Sequence, residues 1–396
     1  MKTKLGLAVA AALAAAASSA NAGIMIPAGD WTLDIGGVVN AYYTHTSFSG
    51  DDSAAGEYGN GDSVANITTG LLPNYLSVSG KTRQNDLDVG FTISINPGAS
   101  TKRSGIQGST DTDDATGNPG NQENRQAFLT FGDASWGSIK LGKDLGIYAS
   151  DAILNDMTLL GVGSAAGALA GNTTTLGRIG RGFMYADWKS QVAYSSPNFS
   201  GFNFTVGLTQ AWNGTGNTQR GGSETAYEGK ASYAWEGDFA GKVWASGLSQ
   251  NVESLDDTAT AWDIGATVNV AGFGLTGYYG QGNGTGKTVQ FNGGYDANGN
   301  DRDSDDWYVQ ATYALPGVGT KLGVSYGEST LEGNSVDTFD ENKSDMWTIG
   351  VYHPITKHLN LVAEYSRAED EIDGQNGGAS SEVKAKTISL GAILFF

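Results

Sequence analysis

The chain closes on TISLGAILFF, Thr387–Phe396, and this stretch decides the fold. Ile388, Leu390, Ala392, Leu394 and Phe396 alternate with Thr387, Ser389, Gly391, Ile393 and Phe395. Only a β-strand has a side-chain period of two, so the stretch predicts a strand with one fully apolar face. Two terminal phenylalanines on an acid-rich chain raise the question of what that face touches.

The same rhythm runs through the whole sequence. WTLDIGGVVNAYY (31–43) sets Trp31, Leu33, Ile35 and Val39 against Thr32, Asp34 and Asn40. DLDVGFTISIN (86–96) sets Leu87, Val89, Phe91, Ile93 and Ile95 against Asp86, Asp88, Thr92, Ser94 and Asn96. AWDIGATVNV and DWYVQATYAL repeat it, with Asp263 and Gln310 on their polar sides, and LNLVAEYS carries Glu364 on its polar side. The apolar faces of the four longer segments carry no charge, as lipid demands, where one at mid-depth costs about 2–4 kcal/mol. A packed core between two sheets excludes charge equally, so the connections have to decide.

The connections alternate. PNFSGF, EGDFAG, NVAGFG, LPGVG and HPITKHL are tight and carry the Gly and Pro that turns need. Between them lie long polar stretches: Ser49 to Gly70, Pro97 to Glu123, Trp212 to Thr225, Gln281 to Asp305, Glu328 to Ser344 and Ala368 to Glu382. A transmembrane barrel has this asymmetry, with short periplasmic turns and long outer loops, whereas a β-sandwich has no reason for it. Trp31, Tyr42, Tyr43, Phe202, Trp235, Trp307, Trp347, Phe395 and Phe396 gather near strand ends, where rings favour the membrane–water interface. The expected fold is all-β: a transmembrane antiparallel β-barrel of about 16 strands. Its even parity places both ends on the periplasmic side, and its last strand pairs with its first because an open edge in lipid leaves backbone groups unpaired.

The first residues read differently. MKTK is basic, the following run is small and apolar, and Ala20–Ala22 fits a small-x-small cleavage site. Residues 1–22 are expected to be a secretory signal peptide, and 23–396 a single transmembrane β-barrel domain. The chain has 23 Lys and Arg against 42 Asp and Glu, a net charge of −19. Losing Lys2 and Lys4 makes it −21, which excludes a nucleic-acid partner, since that needs a basic footprint. With 17 Tyr, 14 Phe and 9 Trp the acidity does not signal disorder. There is no cysteine, hence no disulfide framework.

NRQAFLTFGDASWGSIKLGKDLGIY (124–148) resembles the region of Gram-negative general porins that runs into their inward-folded third loop. YSSPNFSGFNF (194–204) is similar to the strand–turn–strand after that loop, and the final Phe396 matches the family's usual last residue. The resemblance implies a homotrimer of sixteen-stranded, water-filled barrels in the outer membrane, each narrowed by its third loop, with basic groups on the wall facing acids on the loop. By position, Arg125 corresponds to an inward arginine, and Arg178 and Arg181 to wall arginines after the loop. Asp144, Asp151 and Asp156 are the loop's acids. Tyr75 stands where many relatives have another arginine, and the loop lacks the Pro-Glu-Phe-Gly-Gly type of motif. SDAILNDM offers a short helical turn with Ser150 or Asp151 near its start. Phe395 and Phe396 are expected at the membrane interface as the C-terminal signal.

The implied function is passive diffusion of small hydrophilic solutes and ions, with weak cation preference from the acidic charge. The rival is a substrate-specific channel for sugars or dicarboxylates, with Tyr42, Tyr308 and Tyr352 as scattered candidates for a track. An enzyme is not expected: of the three histidines, His45, His353 and His358, the last two share one turn and lie in no recognisable Ser-containing motif. No cofactor or resident metal is expected. DANGNDRDSDDW begins like a calcium loop at Asp296, Asn298 and Asn300, but has Asp301 where glycine and Trp307 where glutamate belong. The expected partners are outer-membrane lipid and lipopolysaccharide; Asp113, Asp114, Asp303 and Asp305 read first as acids of solvated loops, with divalent ions bridging them to lipopolysaccharide as the alternative.

Overall fold

The computed structural model describes residues 23–51, 61–99, 122–164, 174–210, 224–252 and 255–396. The expected signal peptide, Asp113 and Asp114 lie outside them. Among the described residues nineteen strand segments form one sheet that returns on itself. Three wall strands are each built from two segments: Ser63–Thr68 with Tyr75–Gln84, Gln122–Glu123 with Ala127–Asp133, and Ser381–Phe395 with Ile24–Ala28. The result is a closed antiparallel barrel of 16 strands.

The opening stretch closes it. Ser381–Phe395 pairs with Trp31–Gly50 from Val383 opposite Gly50 down to Phe395 opposite Val38. Phe396 adds two bonds, its carbonyl accepting from the Gly37 N–H at 2.8 Å and its N–H donating to the Gly37 carbonyl at 3.1 Å. Below that point Ile24–Ala28 takes over the same edge, pairing Ile24 with Ile35 and Ala28 with Trp31. The sixteenth strand is therefore spliced from both ends of the chain.

Burial along the strands is the reverse of a soluble protein's. Ile93, Ile264, Val309 and Leu390 are 54%, 54%, 51% and 52% exposed, while their neighbours Thr92, Asp263, Tyr308 and Ser389 are buried. Leaving a large apolar side chain in water forgoes about 1.5–3 kcal/mol, so an outer wall of such residues requires a lipid or protein cover. Rings mark the upper border of that wall. Trp262 contacts Tyr279, Trp307 contacts Tyr326, and Trp347 contacts Tyr365, at centroid distances of 5.7, 5.3 and 5.2 Å. The Tyr233–Trp235–Phe239 stack and the Phe273–Tyr313 pair mark the short-turn border.

Three expectations need correction. Tyr42 is 1% exposed and faces the lumen, not the rim. Phe395 is 7% exposed, packed in the interior cluster and not against the membrane; period two leaves only Phe396 on the outer face with Leu394. The polar stretches Glu328 to Ser344 and Ala368 to Glu382 are mostly strand, ending at Glu332 and resuming at Phe339, then ending at Gly374 and resuming at Ser381. Their outward charges pair across strands, Lys343 with Glu371 at 2.8 Å and Lys384 with Glu369 at 3.0 Å. Cross-strand ion pairs support a strand that rises above the apolar band.

The short connections are tight. Asn85 and Asp86 have φ of 50° and 60°, and Ala271 and Gly272 have 50° and 84°. Two successive positive φ values give the turn whose twist matches an antiparallel hairpin.

Candidate functional site

After Gly137–Leu145 the chain turns into the barrel instead of continuing upward. Gly146 makes the entry: its N–H donates to the Asp187 carbonyl at 2.8 Å, and a Cβ there would lie 2.1 Å from the Ala186 carbonyl oxygen. The loop then runs through one helical turn, α1 (Ser150–Asn155), and a 3-10 turn, Met157–Leu160, and returns along 174–187. The helical turn falls where SDAILNDM predicts it. Its start is capped differently, by Ala149 in the left-handed region at φ 61° with no side-chain cap, while Ser150 donates to the Ile147 carbonyl.

Wall side chains clamp this loop along its length. Glu228 accepts the N–H groups of Ile147 and Tyr148, both at 2.8 Å, together with Thr209 Oγ1 and the Lys189 ammonium. Gln310 takes the Met157 N–H at 2.6 Å and donates to the Asn155 carbonyl at 3.0 Å. Tyr308 donates to the Ala152 carbonyl, and Tyr42 to that of Leu160. Glu364 accepts from Val162 and Gly163 at 2.8 and 2.9 Å and from Tyr352. Buried peptide groups without partners are costly, so wall groups replace the ladder that a loop lacks. The three tyrosines expected to be scattered thus meet on one loop, in an apolar cluster with Leu71, Leu72, Ile153, Leu159, Ile179, Phe183, Trp244 and Tyr278. Leu71 comes from an inward break in the second wall strand, where its N–H donates to Gly161 and the Thr175 N–H donates to Gly70.

The expected site residues divide into groups. Asp151 is held by Lys230 at 3.3 Å and by Lys242. Burial raises its carboxyl and the two ammoniums lower it, and the net lies below the usual carboxylate range. Asp156 caps the 3-10 turn by accepting the Thr158 N–H at 3.0 Å, and burial pushes its carboxyl up against the pull of Arg178, 3.8 Å away. Arg178 and Arg181 are not on the wall. They sit in the loop's return limb before Trp188–Ser195, because the strand begins later than the resemblance implies. Arg178 is 0% exposed and donates to the Met346 carbonyl at 2.9 Å; Arg181 holds Asp370 at 2.7 and 2.8 Å.

Asp144 belongs to the strand Gly137–Leu145, paired with Lys140 and taking a bond from Gln126 at 3.0 Å. Arg125 is buried, its guanidinium 5.7 Å from the Trp188 ring centre, and Tyr75 is half-buried on the inner face. No group of three His, Asp or Glu suited to a metal occurs among the described residues. Asp296 instead folds its carboxylate onto its own loop, accepting from the N–H groups of Asn298 and Asn300 at 2.8 and 2.9 Å.

Sequence reasoning missed Lys189, Glu228, Lys230, Lys242 and Gln310 as loop clamps. One signal was available: AYEGKASYAW places Glu228 and Lys230 two residues apart on the inward face. At the Asp151 clamp the carboxylate side chain is 6% exposed and its two lysines 23% and 31%, so the groups that water sees there are cationic. Lys230→Gln with Lys242→Gln is therefore expected to shift the reversal potential in a salt gradient toward the cation side. No shift would show that this pair does not act on passing ions.

The comparisons extend over nearly the whole chain. A family model described as Gram-negative porin matches residues 8–373. Among solved structures, the anion-selective porin from Comamonas acidovorans aligns at a TM-score of 0.61 and 16% identity over 92% of this chain and 100% of that one. The outer membrane channel DcaP of Acinetobacter baumannii aligns at 0.64 and 17% over 95% and 100%. OmpT of Vibrio cholerae, in trimer form, aligns at 0.54 and 15% over 92% and 99%. At these identities the structures establish the shared fold. No curated protein matches by sequence.

Proposed function

The chain belongs to the Gram-negative porin family and is an outer-membrane β-barrel channel, and from that premise we propose passive diffusion of small hydrophilic solutes and ions, without catalysis. One observation carries this reading: a wall with apolar side chains outward and polar ones such as Thr92, Asp263 and Ser389 inward encloses a loop that charged wall residues hold inside the barrel. The mature chain begins at Gly23 in this reading, after removal of residues 1–22.

Selectivity is weak and cation-leaning. Acids such as Asp301, Asp303, Glu332 and Asp340 crowd the long-loop rim and raise the local cation concentration there. The lysines at Asp151 oppose that preference, and screening over about 8 Å separates the two regions. Arg125, Arg178, Arg181, Asp144, Asp151, Asp156 and Tyr75 shape the constriction chiefly by fixing the loop and its surroundings.

A homotrimer is the proposed assembly. The wall is low over the adjacent segments Ala127–Asp133, Gly137–Leu145 and Trp188–Ser195, of 7, 9 and 8 residues, the first continued only by the two residues Gln122–Glu123. Crossing a bilayer takes about 9–11 residues. Their outward Leu129 and Val192 are 44% and 54% exposed, so a second copy is the better cover for this face. Lipid and lipopolysaccharide would cover the taller remainder.

Current through single barrels in a planar bilayer under a salt gradient tests the reading. Ohmic steps in groups of three, reversing on the cation side, are expected; reversal on the anion side would overturn the selectivity. A substrate-specific channel for sugars or dicarboxylates is the second reading, favoured by the apolar cluster that reaches from Val38 to Tyr308. Block of the current by one such solute at low concentration would decide for it.

A further inference from the structure

The loop after Phe273–Asn283 also enters the lumen. Thr285 and Gln290 are 0% exposed and Phe291 3%. Phe291 packs with Tyr148, Ala149 and Met184 of the clamped loop and with Leu248 and Ala259 of the wall. The contact with the return limb is specific. The Tyr185 N–H donates to the Thr288 carbonyl at 2.9 Å. Gln290 Nε2 donates to the Tyr185 carbonyl at 3.2 Å, and Gln290 Oε1 accepts from Lys189 Nζ at 2.6 Å. Lys189 is the same ammonium that pairs with Glu228, so one cation ties the wall, the clamp and this second loop together.

The loop is itself anchored on both sides. Lys287 Nζ donates to the Asn342 carbonyl at 3.0 Å, to Asn342 Oδ1 at 2.6 Å and to Ser344 Oγ at 2.8 Å, all on Phe339–Pro354. At its far end Arg302 donates to Asp337 through Nε at 2.8 Å and to the Tyr295 carbonyl at 2.7 Å. The approach to the return limb leaves no slack: a Cβ on Gly180, whose φ is +70°, would lie 2.3 Å from Thr288 Oγ1.

We propose that residues 284–292 form a second pore-narrowing element, which sets the aperture on the long-loop side and fixes the return limb of the first loop. The inference rests on the channel reading. It assigns to Lys287, Thr288 and Gln290 a role in solute size selection that the third-loop resemblance does not include.

The test compares single-channel conductance and polyethylene glycol exclusion in the full-length barrel. In one variant Lys287–Phe291 is replaced by one glycine, a short bridge because Gly286 and Asn292 already lie side by side. In the other, Lys287→Ala is combined with Gln290→Ala, which keeps the loop length if the deletion fails to fold. Conductance is expected to rise about twofold or more, with larger glycols admitted, since either change removes this element's hold on the return limb of the first loop and pore diameter sets what passes. Folded variants with wild-type conductance and exclusion would overturn the second element alone. Absence of current from wild type and variants alike would overturn the channel reading with it.

Discussion

Glu228→Ala is expected to be the most damaging single substitution inside the barrel. It removes the acceptor of two loop N–H groups and leaves the Lys189 ammonium, 1% exposed, with Gln290 as its remaining clamp partner. Breaking a buried ion pair from one side costs about 3–5 kcal/mol. Chemical unfolding of the barrel in lipid vesicles should show that loss, and current traces should become noisier as the loop's entry limb loosens. The double variant Lys189→Met with Glu228→Leu separates charge from loop anchoring. It removes both charges, so it should recover much of the stability, while the two orphaned N–H groups still cost about 1–3 kcal/mol each. A Glu228→Ala barrel that unfolds with wild type would show that the clamp carries no stability.

Leu390→Arg is expected to be comparably severe for the opposite reason. Leu390 is 52% exposed on the outer wall, two residues from Ile388 at 48%. An arginine facing lipid near the midplane costs about 2–4 kcal/mol. Thr267→Arg, on the inner face, part-buried and with its side chain bonded there only to the Thr276 hydroxyl at 3.2 Å among the described residues, is the matched control and should cost less. The fraction that folds into vesicles, read by the shifted gel mobility of intact barrels, measures both. Equal folding of the two variants would contradict an inside-out wall.

These two sites also show what was legible in the sequence. The outer wall was legible because it is a one-dimensional signal. Leu390, Ile264 and Val309 recur at period two, and lipid imposes one chemistry on all of them. Barrel closure was legible from the same signal at Thr387–Phe396. The inward loop's clamps were not, because they join residues far apart in the chain. Glu364 meets Val162, and Glu228 meets Ile147, through pairings that exist only once the sheet has curled into a ring. Tyr42, Tyr308 and Tyr352 looked unrelated for the same reason. The arginines illustrate a different difficulty. Arg178 and Arg181 sit just before a strand, and a boundary misplaced by a few residues moves a guanidinium from wall to loop.

The spliced sixteenth strand has a consequence for how the barrel is made. Its two pieces, Ser381–Phe395 and Ile24–Ala28, come from opposite ends of the chain and meet along the edge of Trp31–Gly50. Closing the ring thus spans the largest sequence separation in the molecule, and such contacts form slowly. Hairpins joined by tight turns can assemble earlier and wait as an open, curved ribbon. Until the last residues arrive, Trp31–Gly50 presents a bare edge from Val38 to Gly50 at which a strand from elsewhere could pair wrongly. Assembly is therefore vulnerable at the two edges that closure joins, and anything that shields the Trp31–Gly50 edge until Phe396 reaches it would act as a chaperone for this chain.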